Sequence, residues 1–180
     1  MNNSIIAVIL LTLASSAQAE VYFELGIEGG GVPIVTTDRG DINPGGGFKI
    51  AMGVQNEVGE NGDKLSIALG YIFDGVGETS FWYEPAPYEF STVTLDAIYT
   101  IGIDSHRFGV GGSYHIGPTI NDNVLPSTLD FDDALGLILQ YSYTFADRFQ
   151  IGARLTSMDY KVSGLTADAS SFGIFLSNGF

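Results

Sequence analysis

The sequence predicts an all-β fold, a single eight-stranded antiparallel transmembrane β-barrel with up-and-down topology. Three observations support this prediction. Apolar side chains alternate with small or polar ones along eight segments, which is the period of a β-strand. The connections between these segments are alternately short and long, as in barrels with tight turns on one side of a bilayer and loops on the other. The last segment ends on Phe180, and Phe172, Ile174 and Leu176 share its apolar face.

The N-terminal residues have the features of an export signal. An apolar run from Ile5 to Leu13 is followed by small residues that end in Ala17-Gln18-Ala19, a pattern typical of a cleavage site. The run is shorter than the roughly 20 apolar residues that a membrane-spanning helix needs. We therefore expect residues 1–19 to be a signal peptide that is removed, and residues 20–180 to form one barrel domain.

Each predicted strand has one apolar face, and no helical period of comparable length follows the signal. The apolar faces of the first four strands are Phe23, Leu25 and Ile27; Phe48, Ile50, Met52 and Val54; Leu65, Ile67, Leu69, Tyr71 and Phe73; and Val93, Leu95, Ala97, Tyr99 and Ile101. Those of the next three strands are Phe108, Val110, Gly112, Tyr114 and Ile116; Leu135, Leu137, Leu139, Tyr141, Tyr143 and Phe145; and Phe149, Ile151, Ala153 and Leu155. The eighth strand is the C-terminal segment.

The composition of the two faces indicates which of them points outward. Water-facing surfaces are typically about 25–35% charged, but the less apolar strand faces consist mostly of Gly, Ala, Ser and Thr. These faces suit a crowded barrel interior, and the aromatic ends of the apolar faces suit the two interfaces of a bilayer. A soluble barrel with an apolar interior is the alternative. The predicted aromatic ends are Phe48, Tyr71, Phe73, Phe90, Phe108, Tyr114, Phe145 and Phe149.

Charge and cysteine content exclude several functions. The formal net charge is −14, and the 7 Lys and Arg residues are too few for nucleic-acid binding, which needs clustered positive charge. Without cysteine, the chain has no disulfide framework, so its stability must come from strand pairing and burial. We expect no cofactor.

Taken together, the export signal, the alternating strands, the loop asymmetry and the terminal Phe180 resemble the OmpA/OmpX-type family of small outer-membrane barrels, over the whole of residues 20–180. The resemblance implies the cell outer membrane of a Gram-negative organism, with both termini in the periplasm and the longer loops outside the cell. It also implies that barrel-assembly machinery recognises the terminal segment with Phe172, Ile174, Leu176 and Phe180. We expect a monomer that contacts outer-membrane lipids and lipopolysaccharide.

Charged side chains on the inward faces form the first candidate site. Because an isolated ion is costly in a medium of low dielectric constant, these side chains should pair across the lumen. A three-residue turn at 146–148 would place Gln140 opposite Arg154. We interpret the network as a structural plug, with a narrow porin-like pore as the alternative, since eight strands enclose an interior that side chains just fill. The predicted members are Glu24, Glu28, Lys49, Asp96, Arg107, Gln140 and Arg154.

A second candidate follows from the hairpin at Asp104-Ser105. A two-residue turn there places Asp96 across from Ser113, with His115 diagonal to both on the inward face. Ser, His and Asp could then activate a serine for acyl transfer. A hydrogen-bond network within the lumen is the simpler interpretation.

The predicted loops supply the remaining candidates. Acidic residues are frequent there, namely Asp38, Asp41, Glu78, Glu84, Glu89, Asp122, Asp130, Asp132 and Asp133, and the last three are weak candidates for binding Ca²⁺ or Mg²⁺. A solvated acidic surface is the interpretation that we favour. Aromatic side chains exposed on a loop are costly unless they pack or bind, so these could anchor in lipid headgroups, fold over the barrel mouth or contact a partner. The candidates for a surface contact are Phe81, Trp82, Tyr83 and Tyr88.

These observations favour a non-enzymatic role in envelope integrity or surface interaction, through the extracellular loops. A barrel enzyme that hydrolyses or transfers lipid A acyl chains is the enzymatic alternative, and narrow-pore conduction is the third.

Overall fold

The computed structural model describes residues 19–37, 40–58, 62–76, 88–122, 127–145 and 148–180. Eight long strands within these residues form a closed antiparallel barrel, because each strand pairs with its neighbours in sequence and the last pairs with the first. The predicted fold is therefore confirmed. In chain order the strands are β1 (Glu20–Gly30), β2 (Gly47–Glu57), β3 (Lys64–Val76), β4 (Tyr88–Ile103), β5 (His106–Asp122), β6 (Ala134–Phe145), β7 (Phe149–Ser157) and β8 (Ser171–Gly179).

The two ends of the barrel differ. The connections after β2, β4 and β6 lie at one end, called the short-turn end, and those after β1, β3, β5 and β7 lie at the other, called the long-loop end. Short strands add to the long-loop end: Val35–Thr37 pairs with Gly40–Ile42, Asp159–Val162 pairs with Leu165–Asp168, and Ser127–Asp130 pairs with the last residues of β5. In the described part of the chain, no helix is long and apolar enough to cross a membrane. The predicted signal peptide, residues 1–19, lies outside the described residues except for its last residue.

The hairpin between β4 and β5 has the predicted two-residue turn. Ile103 pairs with His106, and Asp104 has the left-handed φ of 55° that such a turn requires. At their other ends both strands are longer than predicted, reaching Tyr88 and Asp122. Glu89 and Asp122, which we expected in loops, therefore lie in strands. In these extensions the apolar side chains Phe90 and Ile120 face the lumen, which is the reverse of the outward apolar pattern from which the strands were predicted.

The apolar faces point outward, as predicted. Leu135, Leu137 and Ile174 are among the most exposed side chains of the wall, whereas inward-facing residues such as Ala51 and Ile98 are buried. This arrangement excludes a soluble barrel with its apolar face inside. The outward faces together form a belt of aliphatic and aromatic side chains around the barrel.

The prediction that Phe90 belongs to the outward belt was wrong. Phe90 is only 1% exposed and points into the lumen. It has the same parity as Thr92, Thr94 and Asp96, all of which are buried, and side chains two residues apart share a face of a strand. The other predicted aromatic ends belong to outward faces.

A cluster of buried apolar residues fills the lumen at the long-loop end, and we call it the apolar plug. The strands and the loops both contribute to it, and Tyr160 is fully buried at its centre, against Phe90 and Phe131. Its members are Ile42, Ile72, Phe90, Ile120, Phe131, Ala134, Met158, Tyr160 and Ala169. The prediction that small and ionic side chains fill the interior was therefore incomplete, because loop side chains fold back into the barrel mouth.

Candidate functional site

Five charged side chains meet in the middle of the lumen and form what we call the ion-pair layer: Glu24, Glu28, Lys49, Asp96 and Arg154. They come from β1, β2, β4 and β7, and each lies at an inward position of its strand. The inward parity follows from local alternation, whereas their meeting follows from closure of the barrel, which brings β1 and β7 to either side of β8.

Arg154 is the most highly coordinated member of the layer. Its Nη1 and Nη2 donate to the two carboxylate oxygens of Glu24, each at 2.8 Å, in a bidentate pair. Its Nε and Nη2 also donate to Gln140 Oε1 at 3.0 and 2.7 Å, which is the cross-strand neighbour that we predicted. The guanidinium stacks on the ring of Phe175, with 4.9 Å between its central carbon and the ring centroid.

The absence of a side chain on the neighbouring strand makes room for that ring. Phe175 faces inward on β8, and Gly152 is its partner on β7. A Cβ atom added at Gly152 would lie 2.6 Å from Phe175 Cε1, so only glycine leaves space for the ring at this position. The cation–π contact of Arg154 therefore depends on a missing side chain on the adjacent strand.

Lys49 and Asp96 form the second strong pair of the layer. Lys49 Nζ lies 2.6 Å from Asp96 Oδ2, and Ser113 Oγ donates to Asp96 Oδ1 at 2.5 Å. Glu28 is held more loosely, because its carboxylate lies 3.8 Å from Lys49 Nζ and accepts a hydrogen bond from Ser171 at 3.0 Å. Burying these charges is tolerable because each has a partner of opposite charge.

Arg107 does not join the ion-pair layer, although we predicted it there. Its guanidinium donates to the backbone carbonyl of Gly62 at 3.0 Å, at the short-turn end. The position follows from the register, since Arg107 pairs with Gly102 beside the β4–β5 turn, far along the strand from Ser113. Arg107 therefore ties two turns together.

The Ser-His-Asp hypothesis is not supported by the geometry. Asp96 and Ser113 do lie opposite each other, but the Ser113 hydroxyl donates directly to the carboxylate. His115 is hydrogen-bonded to Tyr160, with the His115 Nδ1 atom 2.5 Å from the tyrosine hydroxyl oxygen. A catalytic serine needs an imidazole that accepts its proton and a path for substrate. Here the Ser113 hydroxyl donates its hydrogen bond to the Asp96 carboxylate and not to an imidazole, and Ser113 is 1% exposed.

The acidic candidates of the third long loop do not form a metal site. Among the described residues, no three His, Asp or Glu side chains converge in a way that could hold a metal ion. Asp133 instead accepts hydrogen bonds from the Gly117 amide at 2.9 Å and the Tyr114 hydroxyl at 2.7 Å. These two donors, the amide first, lower the pKa of the Asp133 carboxyl below its ordinary value.

The lumen below the ion-pair layer is nearly filled. A cavity of about 30 Å³ lies on the short-turn side, lined by Tyr22, Glu24, Gln140, Arg154 and Phe175 among others. That volume holds roughly one or two water molecules. With the apolar plug above and the layer across the middle, the described residues leave little space for a conduction path.

The predicted loop aromatics and terminal segment are placed only in part. Phe81, Trp82 and Tyr83 lie outside the described residues, whereas Tyr88 begins β4 and packs against the apolar plug instead of standing on a loop.

Four residues of the terminal segment point outward in the belt: Phe172, Ile174, Leu176 and Phe180. Their role as an assembly signal stays a prediction.

Tyr160 is the site residue that sequence reasoning missed. It lies on the hairpin formed by Asp159–Val162 and Leu165–Asp168, which turns at Ser163-Gly164. A Ser-Gly dipeptide between two short alternating runs is a turn signal. That signal could have identified the hairpin, but not that its tyrosine enters the lumen.

A closed eight-stranded wall with an outward apolar belt and a filled interior defines the class of small transmembrane β-barrels. Among solved structures, the fold is similar to Neisserial surface protein A, with a TM-score of 0.58 and 12% sequence identity over 90% of this chain and 97% of that chain. It is also similar to Ail, the attachment invasion locus protein of Yersinia pestis, with a TM-score of 0.56 and 8% identity over 91% and 98% of the two chains.

A second Ail structure, in complex with the heparin analogue sucrose octasulfate, has a TM-score of 0.55 and 8% identity over the same shares of the chains. No protein-family model and no curated protein matches the sequence significantly. At these identities the likeness shows a shared fold, which is that of small outer-membrane barrels.

Proposed function

We propose that this chain is an integral outer-membrane protein with a structural lumen and a non-enzymatic role, in envelope integrity or in surface interaction through its long-loop end. The observation that carries the proposal is the apolar belt around a closed wall. Exposed aliphatic side chains in this number are costly in water and favourable against acyl chains. The barrel satisfies its backbone groups within the wall, as spanning a bilayer requires.

The interior supports a plug more than a pore. The ion-pair layer crosses the lumen with bidentate and charge-assisted hydrogen bonds, and the apolar plug closes the long-loop end. Moving an ion past both would require breaking paired charges in a space where water cannot replace their partners. The same burial argues against an acyl hydrolase centred on Ser113, since an acyl chain has no route to that hydroxyl.

Charge indicates which partners suit the long-loop end. Asp41, Asp130, Asp132, Asp159 and Asp168 belong to segments at this end, and the chain as a whole carries a net charge of −14. Ail is solved with a heparin analogue, a sulfated sugar. A sulfated ligand of that kind would be repelled by this surface, so we infer that interactions of the present chain are with neutral or cationic partners.

Two matched substitutions test the membrane location. Leu137 in the belt and Leu165 on the Asp159–Asp168 hairpin are both 71% exposed. In water, replacing either by Arg would cost little. In a bilayer, Leu137→Arg places a cation among acyl chains and should destabilise the barrel by about 2 kcal/mol, while Leu165→Arg should cost less than about 0.5 kcal/mol.

The measurement is urea unfolding of both variants in lipid vesicles, together with recovery of the tagged wild-type chain in the outer-membrane fraction of a Gram-negative host. Equal costs for the two substitutions, or recovery of the wild type as a soluble periplasmic protein, would refute the proposal.

A further inference from the structure

A groove of about 860 Å³ opens at the long-loop end, on the side of the barrel formed by β1 to β4. Its outer part consists of belt residues, in which Phe48 and Tyr71 both pack against Phe73 with ring centroids 6.0 Å apart. Its inner part reaches the side chains of Glu28 and Asp74. The groove thus joins the lipid-facing aromatic belt to Asp74 and to Glu28 of the ion-pair layer.

The passage between these two parts exists because Gly46, which precedes β2, and Gly47, which begins it, have no side chains. Gly47 has a left-handed φ of 138°, and a Cβ atom there would lie 2.7 Å from the Phe73 carbonyl oxygen. Gly46 is different, since a Cβ atom on it would meet no atom closer than 3.4 Å, from Asn43. Two glycines therefore leave a notch in the wall, and one of them could carry a side chain that would fill it.

Two features of the groove indicate the chemistry of an occupant. Aromatic faces attract cations, and carboxylates complement them. Glu89 adds a further carboxylate on the outer side. Asn43 also lines the groove, but its Oδ1 is shielded from solvent and does not identify an occupant.

We propose that this groove binds a basic side chain of a cationic amphipathic peptide, with the ammonium or guanidinium at the carboxylates and the apolar residues along Phe48, Tyr71 and Phe73. The inference rests on the proposed outer-membrane location, which places the aromatic part of the groove at the bilayer interface. A peptide with net positive charge is favoured over a zwitterionic lipid amine because the chain's charge of −14 attracts the former at long range and would repel the phosphate of the latter.

The test uses the full chain in phosphatidylcholine nanodiscs and a fluorescein-labelled synthetic helix of Lys and Leu. The same helix with Glu in place of Lys is the peptide control. Gly46→Leu fills the notch without changing charge, and its control is Gly112→Leu, at an outward position where an added Cβ atom would also meet nothing closer than 3.5 Å. Glu89→Gln removes one groove charge, and Glu57→Gln removes one charge at the short-turn end.

We expect the Lys helix to bind the wild type, and Gly46→Leu and Glu89→Gln each to weaken binding by at least about fivefold, while each control changes it by less than about twofold. The Glu helix should not bind. If all four variants bind as the wild type does, the groove is not the site, and the acidic surface as a whole attracts the peptide. If the wild type binds no Lys helix, the groove proposal fails, whereas the membrane proposal stands or falls on the Leu137 and Leu165 variants.

A lipid amine is distinguished in a second arm. If phosphatidylethanolamine in the nanodiscs raises the unfolding temperature of the wild type but not of Gly46→Leu, and the Lys helix then fails to compete, the groove holds a lipid headgroup and the peptide proposal is overturned.

Discussion

Replacing Arg154 by Met should be among the most damaging single substitutions in this barrel. The change removes the bidentate pair with Glu24, both hydrogen bonds to Gln140 and the stacking on Phe175. It also leaves Asp96 with Lys49 as its close cation, since the Arg154 guanidinium lies 3.7 Å from the Asp96 carboxylate. Met matches the length of the arginine stem, so the loss is mainly of charge and hydrogen bonds.

The expected loss of unfolding free energy follows from the carboxylate that Arg154→Met leaves unpaired. Glu24 is 3% exposed, so its carboxylate cannot regain water when the guanidinium is gone. Breaking a buried pair by removing one partner costs about 3–5 kcal/mol, most of it from the uncompensated charge. Removing both charges in Arg154→Met with Glu24→Met should restore much of this, because an apolar pair of similar volume is often no less stable than the ion pair. We expect a coupling free energy of at least about 2 kcal/mol between the two sites.

The assay is equilibrium unfolding by urea in detergent micelles, with the folded fraction followed by the mobility of unboiled samples on a denaturing gel. Arg154→Lys is the control that keeps the charge but loses the fork geometry, and it should lie between the wild type and Arg154→Met. The reasoning would be refuted if Arg154→Met cost less than about 1 kcal/mol, or if the double variant cost the sum of the single ones.

Two further predictions concern packing within the lumen. Gly152→Ala should lower the free energy of unfolding by about 1–3 kcal/mol, because the new Cβ atom overlaps the Phe175 ring. Gly112→Ala, at an open position, is the control and should change stability by less than about 0.5 kcal/mol. Urea unfolding of both variants measures this, and equal midpoints would contradict the prediction. Tyr160→Phe should cost about 1 kcal/mol through the lost hydrogen bond to His115, and Tyr160→Ala about 3–5 kcal/mol through loss of the ring from the apolar plug. Hydrogen exchange of the Asp159–Asp168 hairpin should rise in the Ala variant only, and unchanged protection there would count against the plug.

Local patterns predicted most of the wall. The period of two is a property of adjacent residues, so the strands and the outward direction of their apolar faces could be predicted without knowledge of the fold. Turn length sets the pairing of the two strands that it joins, which is why Asp96 opposite Ser113 and Gln140 opposite Arg154 were both expected. The prediction for Phe90 was wrong although the pattern was local, because Phe90 has the inward parity of Thr92.

The interior depended on contacts that no local pattern contains. Arg154 and Glu24 are 130 residues apart, and they meet because β1 and β7 flank β8 once the barrel closes. Tyr160 shows the same dependence, since a hairpin beyond the wall folds back to reach His115.

Alternation and turn length act between residues close along the chain, so the amino-acid order was enough to predict the barrel, the outward side chains and the facing hairpin neighbours. The pairing of charges across the lumen, the position of Arg107 outside the ion-pair layer and the apolar plug formed by loop residues became known from the folded barrel alone. These lumen contacts depend on how eight strands are staggered around a closed wall and on how loops pack into its mouth, and the burial of the whole interior fixes both together.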